Sequence, residues 1–313
     1  MSIDISVAIC TYNRADMLTG ALESLCQQTL SSDRFEIIVV DNASTDNTSD
    51  VVCTFQEKYS AHQIRKIYEV KQGLGFARNA ALQVACGEYI AYLDDDARAS
   101  LNWLATAMGH LGDTQHPQCL GGPIYPFYTT EKPAWFKEKY EARTWGDLQR
   151  YLEPGESLSG SNMIWNKETL KSIGGFGEMV GVKGKTLSVG EETIAFKRFW
   201  QEEHTPVVIY DPDLVVTHWV PPLKMKISYF LKRAFVVGQA AVMIDRQPGF
   251  YWRLRTWLRS GGAVVLLSVR AITQLPRYRK WQNWAVEECP PAMTKLGTFM
   301  ALCGFVIHVN QRE

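Results

Sequence analysis

The seven cysteines, at positions 10, 26, 53, 86, 119, 289 and 303, include no CxxC pair, and their number is odd. That argues against a zinc site or a disulfide framework and for a reducing compartment. A membrane span requires roughly 18–20 apolar residues. Two apolar stretches, Gly261 to Val269 and Leu296 to Val309, fall short of it, and Arg270 interrupts the first. They read either as core helices or as segments lying in a bilayer interface. The N-terminal MSIDISVAIC has no basic region followed by a long apolar one, so no secretory signal is expected. Internal repeats, low-complexity runs and a GxGxxG fingerprint are also missing. What remains is ordinary globular material, 46% hydrophobic and 21% charged over 313 residues, enough for one large domain or two smaller ones.

The formal net charge is zero, but it is unevenly spread. Residues 1–222 carry nineteen basic and twenty-nine acidic residues, whereas 223–286 carry twelve Lys and Arg against the single acid Asp245. Pro221-Pro222 marks the change. The expected organisation is a catalytic domain over 1–222 and a basic, aromatic-rich helical extension over 223–313. Such an extension can meet an anionic membrane surface, a nucleic acid or the acidic body itself. No nucleic-acid recognition motif is present, so nucleic acid is not expected as a partner.

The first hundred residues alternate between two patterns. Ile5–Cys10, Phe35–Val40, Ile64–Val70 and Tyr89–Leu93 read as strands, and Ala15–Gln27, Thr48–Lys58 and Phe76–Ala85 as helices. This alternation predicts an α/β fold, a Rossmann-like, mostly parallel sheet with helices on both faces. Ligands bind such sheets beyond the carboxyl ends of the strands. Polar clusters stand there: Thr11, Tyr12, Asn13 and Arg14 after the first strand, Asp41 and Asn42 after the second, Asp94, Asp95 and Asp96 after the fourth. Further on, Ser159–Trp165 reads as a strand, Lys167–Ile173 as a short helix, and Val207–Tyr210 with Leu214–Thr217 as an extended pair. Residues 174–190 hold six glycines, the composition of a mobile loop.

Each cluster admits two readings. Three adjacent aspartates form either a solvated acidic loop or a cation site, where a divalent ion turns repulsion into chelation. Asp94 and Asp96 project to one side of an extended chain, suiting a ribose hydroxyl and a divalent cation respectively. Asp41 is placed either to hold a base or ribose or to cap a helix. Arg78, in the first turn after Gly73-Leu74-Gly75, suits a base or phosphate, or is an exposed surface residue. Glu191 and Glu192 open a helix, where the dipole favours acids, or supply a general base. His218 is a structural histidine or a metal or phosphate ligand.

The ordered set SVAICTYNR, IIVVDNASTDNT, GLGFARNAAL, YIAYLDDDA, SGSNMIWNKETLKSIGGF and GEETIAFKR resembles the family 2 glycosyltransferases over residues 4–220. The resemblance implies the GT-A fold. It also implies an inverting, metal-dependent transfer from a nucleotide-activated sugar, usually a UDP-sugar, to a saccharide or lipid-linked acceptor, as in cell-surface polysaccharide or glycoconjugate synthesis. It assigns Thr11, Tyr12 and Asp41 to base and ribose, Arg78 to the base, and Asp94 and Asp96 to the DxD element, with Asp96 and His218 on Mn²⁺ or Mg²⁺. Asn13, Arg14, Asp95, Ser161 and Asn162 complete the expected donor site. Glu192 falls where the second acid of a Glu-Asp pair acts as base, which leaves Glu191 and Glu192 both as candidates. The QxxRW element of processive synthases is missing, since Lys197-Arg198-Phe199-Trp200 lacks the Gln, so single-residue transfer is expected. A nucleotidyltransferase and a non-catalytic nucleotide-sugar-binding protein are the competing readings. The expected location is cytoplasmic, with peripheral attachment at the inner membrane face through the basic extension.

Overall fold

The computed structural model describes residues 3–112, 116–178, 186–187, 190–202, 206–245, 249–307 and 309–310. In chain order, the first half runs β1 (Ile5–Thr11), α1 (Ala15–Cys26), β2 (Phe35–Asp41), α2 (Thr48–Lys58), β3 (Gln63–Tyr68), α3 (Leu74–Val84) and β4 (Tyr89–Asp94). It continues through β5 (Ala97–Ala99), α4 (Trp103–Leu111), β6 (Cys119–Gly121), β7 (Ile124–Phe127), β8 (Arg150–Tyr151), β9 (Met163–Asn166) and α5 (Lys167–Ser172). Then come β10 (Thr186–Leu187), α6 (Glu191–Glu202), β11 (Val208–Tyr210), β12 (Val216–Trp219), α7 (Ile227–Ile244), α8 (Phe250–Gln274), α9 (Trp281–Glu288), α10 (Pro290–Leu302) and β13 (Val309–Asn310). The chain divides into two compact units, one of Met1–Phe127, Glu138–Glu178 and Glu191–Trp219, the other of Tyr128–Lys137, Met179–Gly190 and Val220–Glu313.

The first unit is built on an eight-stranded sheet of order β3-β2-β1-β4-β9-β6-β11-β8. From β3 to β4 every pairing is parallel, as strand–helix alternation requires. Beyond β4 the sheet is mixed, because β9 runs antiparallel to both β4 and β6, and β8 antiparallel to β11. All seven residues of FEIIVVD in β2 are buried, which fits a strand covered on both faces. Alternate side chains divide between two cores. Val7, Ile9, Ile37 and Val39 pack with Leu18, Leu22 and Trp103 on one face. Ala8, Ile38, Val40 and Ile90 pack with Ala77, Leu82, Trp165 and Phe199 on the other.

Two expectations need correction. Val207–Tyr210 and Leu214–Thr217 are not a pair: β11 joins the large sheet, while β12 enters a three-stranded sheet of order β5-β12-β7. The Ser159–Trp165 strand begins only at Met163, after a turn in which Asn162 N–H donates to Ser159 O. Most of the glycine-rich 174–190 segment lies outside the described residues.

In the second unit, β10 pairs antiparallel with β13, and α7 packs closely on α10. A Cβ on Gly238 would strike Thr294 O and one on Gly297 would strike Phe235 O, so small residues set this close helix approach. The apolar stretch 261–269 falls inside α8, where Val265, Leu266 and Val269 are exposed and not part of a core. The other stretch starts in α10, with Gly297 and Leu302 buried, and continues through exposed Phe305, Val306 and Ile307.

Candidate active site

Three strands of the large sheet end together. Thr11 pairs in register with Asp41, and Cys10 with Asp94, so the polar residues after β1, β2 and β4 share one edge. The small sheet adds a fourth contribution. In it His218 of β12 pairs with Ala97, and Trp219 N–H donates to Asp96 O at 2.9 Å. A residue more than a hundred positions away is thereby delivered beside the aspartates.

Asp94 ends β4, and Asp95 and Asp96 form the turn into β5, which separates the three acids. Asp95 turns back toward β1, where its Oδ2 accepts from Thr11 Oγ1 at 2.9 Å and its Oδ1 from Arg14 Nη1 at 2.7 Å. Asp94, Asp96 and His218 point to a common position and offer ligand atoms all within 4.8 Å of one another. His218 Nε2 lies 3.1 Å from Asp96 Oδ1 and 3.7 Å from Asp94 Oδ2. Burial acts to raise the Asp94 carboxyl, but the His218 hydrogen bond and the Arg78 charge outweigh it and hold Asp94 below the ordinary carboxylate range. Two oxygens and an imidazole nitrogen suit a divalent cation such as Mn²⁺ or Mg²⁺. The crowding is also relieved by the chain's own cations, since Arg14 forks between Asp95 and Asp96 at 2.7 and 2.9 Å.

Arg78 is not a surface residue. It is buried, with the guanidinium 5.4 Å from the ring of Phe176 and 6.0 Å from that of Tyr92. Its Nη1 lies 3.1 Å from Glu191 Oε1 and 4.0 Å from Glu192 Oε2, and its Nη2 3.4 Å from Asp94 Oδ1. It therefore joins the two acidic elements, where contact with a base or phosphate had been the expectation. The local sequence permits this. Gly73, at φ +146°, starts α3 in a conformation few side chains adopt, and a Cβ on Gly160 would fall 2.5 Å from Arg78 Nη2.

The two glutamates differ. Glu191 is buried, and its carboxyl is pushed up to about 8, by burial first and by neighbouring Glu192 second, against the pull of Arg78. The Glu192 side chain is 27% exposed. Among the described residues, Oε2 of each glutamate is buried without a hydrogen-bond partner. Such an atom pair marks a place where a polar group from outside the chain is needed.

Several expected donor contacts are taken up by the fold. Asn13 has φ 52°, a left-handed geometry that asparagine tolerates, and its Oδ1 accepts from Thr45 N–H at 2.7 Å, tying two loops together. Asn162 is fully buried, accepting from Trp103 Nε1 and donating to Pro123 O and Leu214 O. Thr11 and Asp95 bond each other, and Arg14 is held by two carboxylates. Asp41 remains at the edge, its Oδ1 accepting from Ser44 N–H at 2.8 Å. Tyr12 is half-buried, and Ser161 Oγ accepts from Asp94 N–H at 3.4 Å. Asn42 has a larger part than its place after Asp41 suggested: its Oδ1 accepts from Gly73 N–H at 2.8 Å and its Nδ2 donates to Glu69 O and Lys71 O, so it sets the entry to α3.

A family model described as Glycosyl transferase family 2 matches residues 6–170. The chain belongs to glycosyl transferase family 2. This glycosyltransferase is 22% identical over 250 residues to the glucosyl-dolichyl phosphate glucuronosyltransferase of Haloferax volcanii, covering 77% of each chain. It is 36% identical over 103 residues to the poly(ribitol-phosphate) beta-glucosyltransferase of Bacillus spizizenii, covering 32% of this chain and only 16% of that protein. In fold it is similar to the mannosyltransferase PcManGT from Pyrobaculum calidifontis, solved with GDP-Man and Mn²⁺, at TM-score 0.64 and 20% identity over 95% of this chain and 87% of that one. It is also similar to S. aureus TarS 1-349 in complex with UDP, at TM-score 0.56 and 16% identity over 97% and 92% of the two chains. The mixed sheet with its helices is the GT-A fold, followed here by extra C-terminal helices. The enzyme is a glycosyltransferase.

Proposed function

We propose that this glycosyltransferase moves a single sugar from a UDP donor to a hydroxyl of a saccharide or lipid-linked acceptor, with inversion at the anomeric carbon and with help from a divalent cation. The observation that carries the proposal is the convergence of Asp94, Asp96 and His218 at the sheet edge, linked through Arg78 to Glu191 and Glu192. The GDP-Man and Mn²⁺ of the PcManGT structure and the UDP of the TarS structure support a nucleotide diphosphate in this position. The base is taken as uracil because that is the family's usual donor. A lipid-linked acceptor is supported by the dolichyl-phosphate substrate named for the Haloferax volcanii relative.

Asp96 and His218 would hold the cation, with Asp94 as a third donor. When bound, it would neutralise charge growing on the departing diphosphate. The chain's own residues do the rest. Asp41 and Tyr12 stand where base and ribose would lie. Glu192, the more exposed of the two acids, takes the proton from the acceptor hydroxyl as the oxygen attacks the anomeric carbon. The C–O bond to the diphosphate breaks on the opposite face, which inverts the configuration. Glu191, buried against Arg78 with its carboxyl pushed up by burial and by its neighbour, acts to position Glu192.

The test is transfer from UDP- and GDP-sugars to a panel of saccharide and lipid-phosphate acceptors, with product anomers read by NMR. The proposal expects products from UDP-sugars of inverted configuration, lost on chelation. Products that retain configuration, or turnover indifferent to chelator, would contradict it.

A further inference from the structure

The second unit carries an apolar face that its own helices leave open. Along α8, Tyr251, Leu254, Leu258, Val265, Val269 and Ile272 are 40–85% exposed. At helical spacing these six fall within an arc of roughly 60°, in a stripe roughly 30 Å long. The opposite side of α8 is the packed one: Ser260 and Ala271 are buried, and Trp257 stacks on Phe299 of α10 at 5.2 Å. The stripe is therefore not a core face turned outward by chance, because the helix already has its core contact elsewhere.

Charge identifies what the stripe meets. Arg255, Arg259 and Arg270 are exposed and run along one flank of it, and α8 contains no acidic residue. Among the described residues none of the three forms an ion pair. A long apolar stripe bordered by uncompensated arginines, with Trp and Tyr near one end, is the pattern of a helix lying in the headgroup region of an anionic bilayer. The helix is unsuited to crossing one, since four arginines interrupt it. Among the described residues only α7 is long and apolar enough to span, and it buries Phe230, Ala234, Phe235 and Gln239 in the protein.

We infer that α8 is a membrane-surface helix: its Tyr251–Ile272 stripe enters the interface of an anionic lipid bilayer while Arg255, Arg259 and Arg270 bind lipid phosphates. The inference goes beyond the transfer chemistry and stands without it, since binding is read with neither donor nor acceptor present. The experiment is flotation of the full chain with vesicles of phosphatidylcholine alone or of equal parts phosphatidylcholine and phosphatidylglycerol, at low and high salt. The chain is expected to float with the anionic vesicles at low salt and to be released by high salt. Arg255→Gln with Arg259→Gln and Arg270→Gln should weaken this binding on the order of 100-fold. Leu258→Glu with Val265→Glu and Val269→Glu should abolish it. Both variants alter exposed side chains and should keep the wild-type circular dichroism and melting temperature. Equal flotation with both vesicle types, or undiminished flotation of the glutamate variant, overturns the inference. So does a wild-type chain that fails to float and is a dimer which the glutamate variant converts to monomer, since the stripe would then join two copies. If either triple variant fails to fold, the lipid and salt dependence of the wild type decides the matter.

Discussion

Arg78 Nη1 lies 3.1 Å from Glu191 Oε1 while Nη2 of the same guanidinium lies 3.4 Å from Asp94 Oδ1. One buried cation thus ties the acid pair that opens α6 to the first acid of the cation site. Its removal leaves carboxylates in a desolvated place without their partner. Arg78→Met should destabilise the fold by about 3–5 kcal/mol at pH 8, by urea denaturation. The loss should be smaller at pH 6, where the stranded carboxyls can take up protons. Equal losses at both pH values would show that packing, not charge, is the larger part.

Glu192→Gln and Glu191→Gln separate the two acids. The first should lower kcat about 10²–10⁴-fold and leave UDP affinity unchanged. The second should lower it less, because Glu191 acts through its neighbour. A reversed order, measured by single-turnover transfer, would move the base to Glu191.

Glu191 also predicts a pH dependence of stability. Its folded carboxyl is pushed up to about 8, chiefly by burial. In the unfolded chain a glutamate titrates near about 4.3. Between those values the folded state binds more protons than the unfolded one, so this group's contribution is fully present below the lower value and is lost as pH rises through the upper. The stability of wild type relative to Glu191→Gln should therefore fall as pH is raised from 4.5 to 8. A difference that stays flat over that window in paired denaturation curves would contradict the assignment.

Asn162 holds Trp103 Nε1, Pro123 O and Leu214 O. Asn162→Ala leaves Trp103 Nε1 and Leu214 O buried and unpaired, at about 1–3 kcal/mol for each group, while Pro123 O keeps its bond from Val216 N–H at 3.1 Å. A drop in melting temperature with little change in nucleotide affinity is expected. Loss of affinity in a protein of unchanged stability would return Asn162 to the donor site.

The parallel half of the fold was legible because Ile5–Thr11, Phe35–Asp41 and Tyr89–Asp94 carry unbroken apolar runs and end in polar residues, and consecutive parallel strands bring those ends to one edge. Spacing on an extended chain put Asp94 and Asp96 on one side, and the two do converge with His218, although Asp95 and Asp96 lie in a turn and not in a strand. The antiparallel half was less legible, since strands as short as Arg150–Tyr151 and Val208–Tyr210 carry too few residues for a period to appear. Local sequence also hid the burial of Arg78. In the first turn of a helix it reads either as a base or phosphate contact or as an exposed surface residue, and only Phe176, nearly a hundred residues on, and Tyr92 enclose it. The partners of Asn13 and Asn162, namely Thr45, Trp103 and Leu214, were hidden for the same reason: they are distant in sequence and adjacent in the fold.

The account rests on a cation held by Asp96 and His218 that shares its ligands with a nucleotide diphosphate. Titration calorimetry of UDP with Mn²⁺ present and after chelation tests it most directly. The account predicts mutual enhancement of UDP and Mn²⁺ binding in the range of about 5–150-fold, lost in Asp96→Ala and in His218→Ala. UDP affinity that is the same with and without Mn²⁺ in the wild-type chain would contradict it.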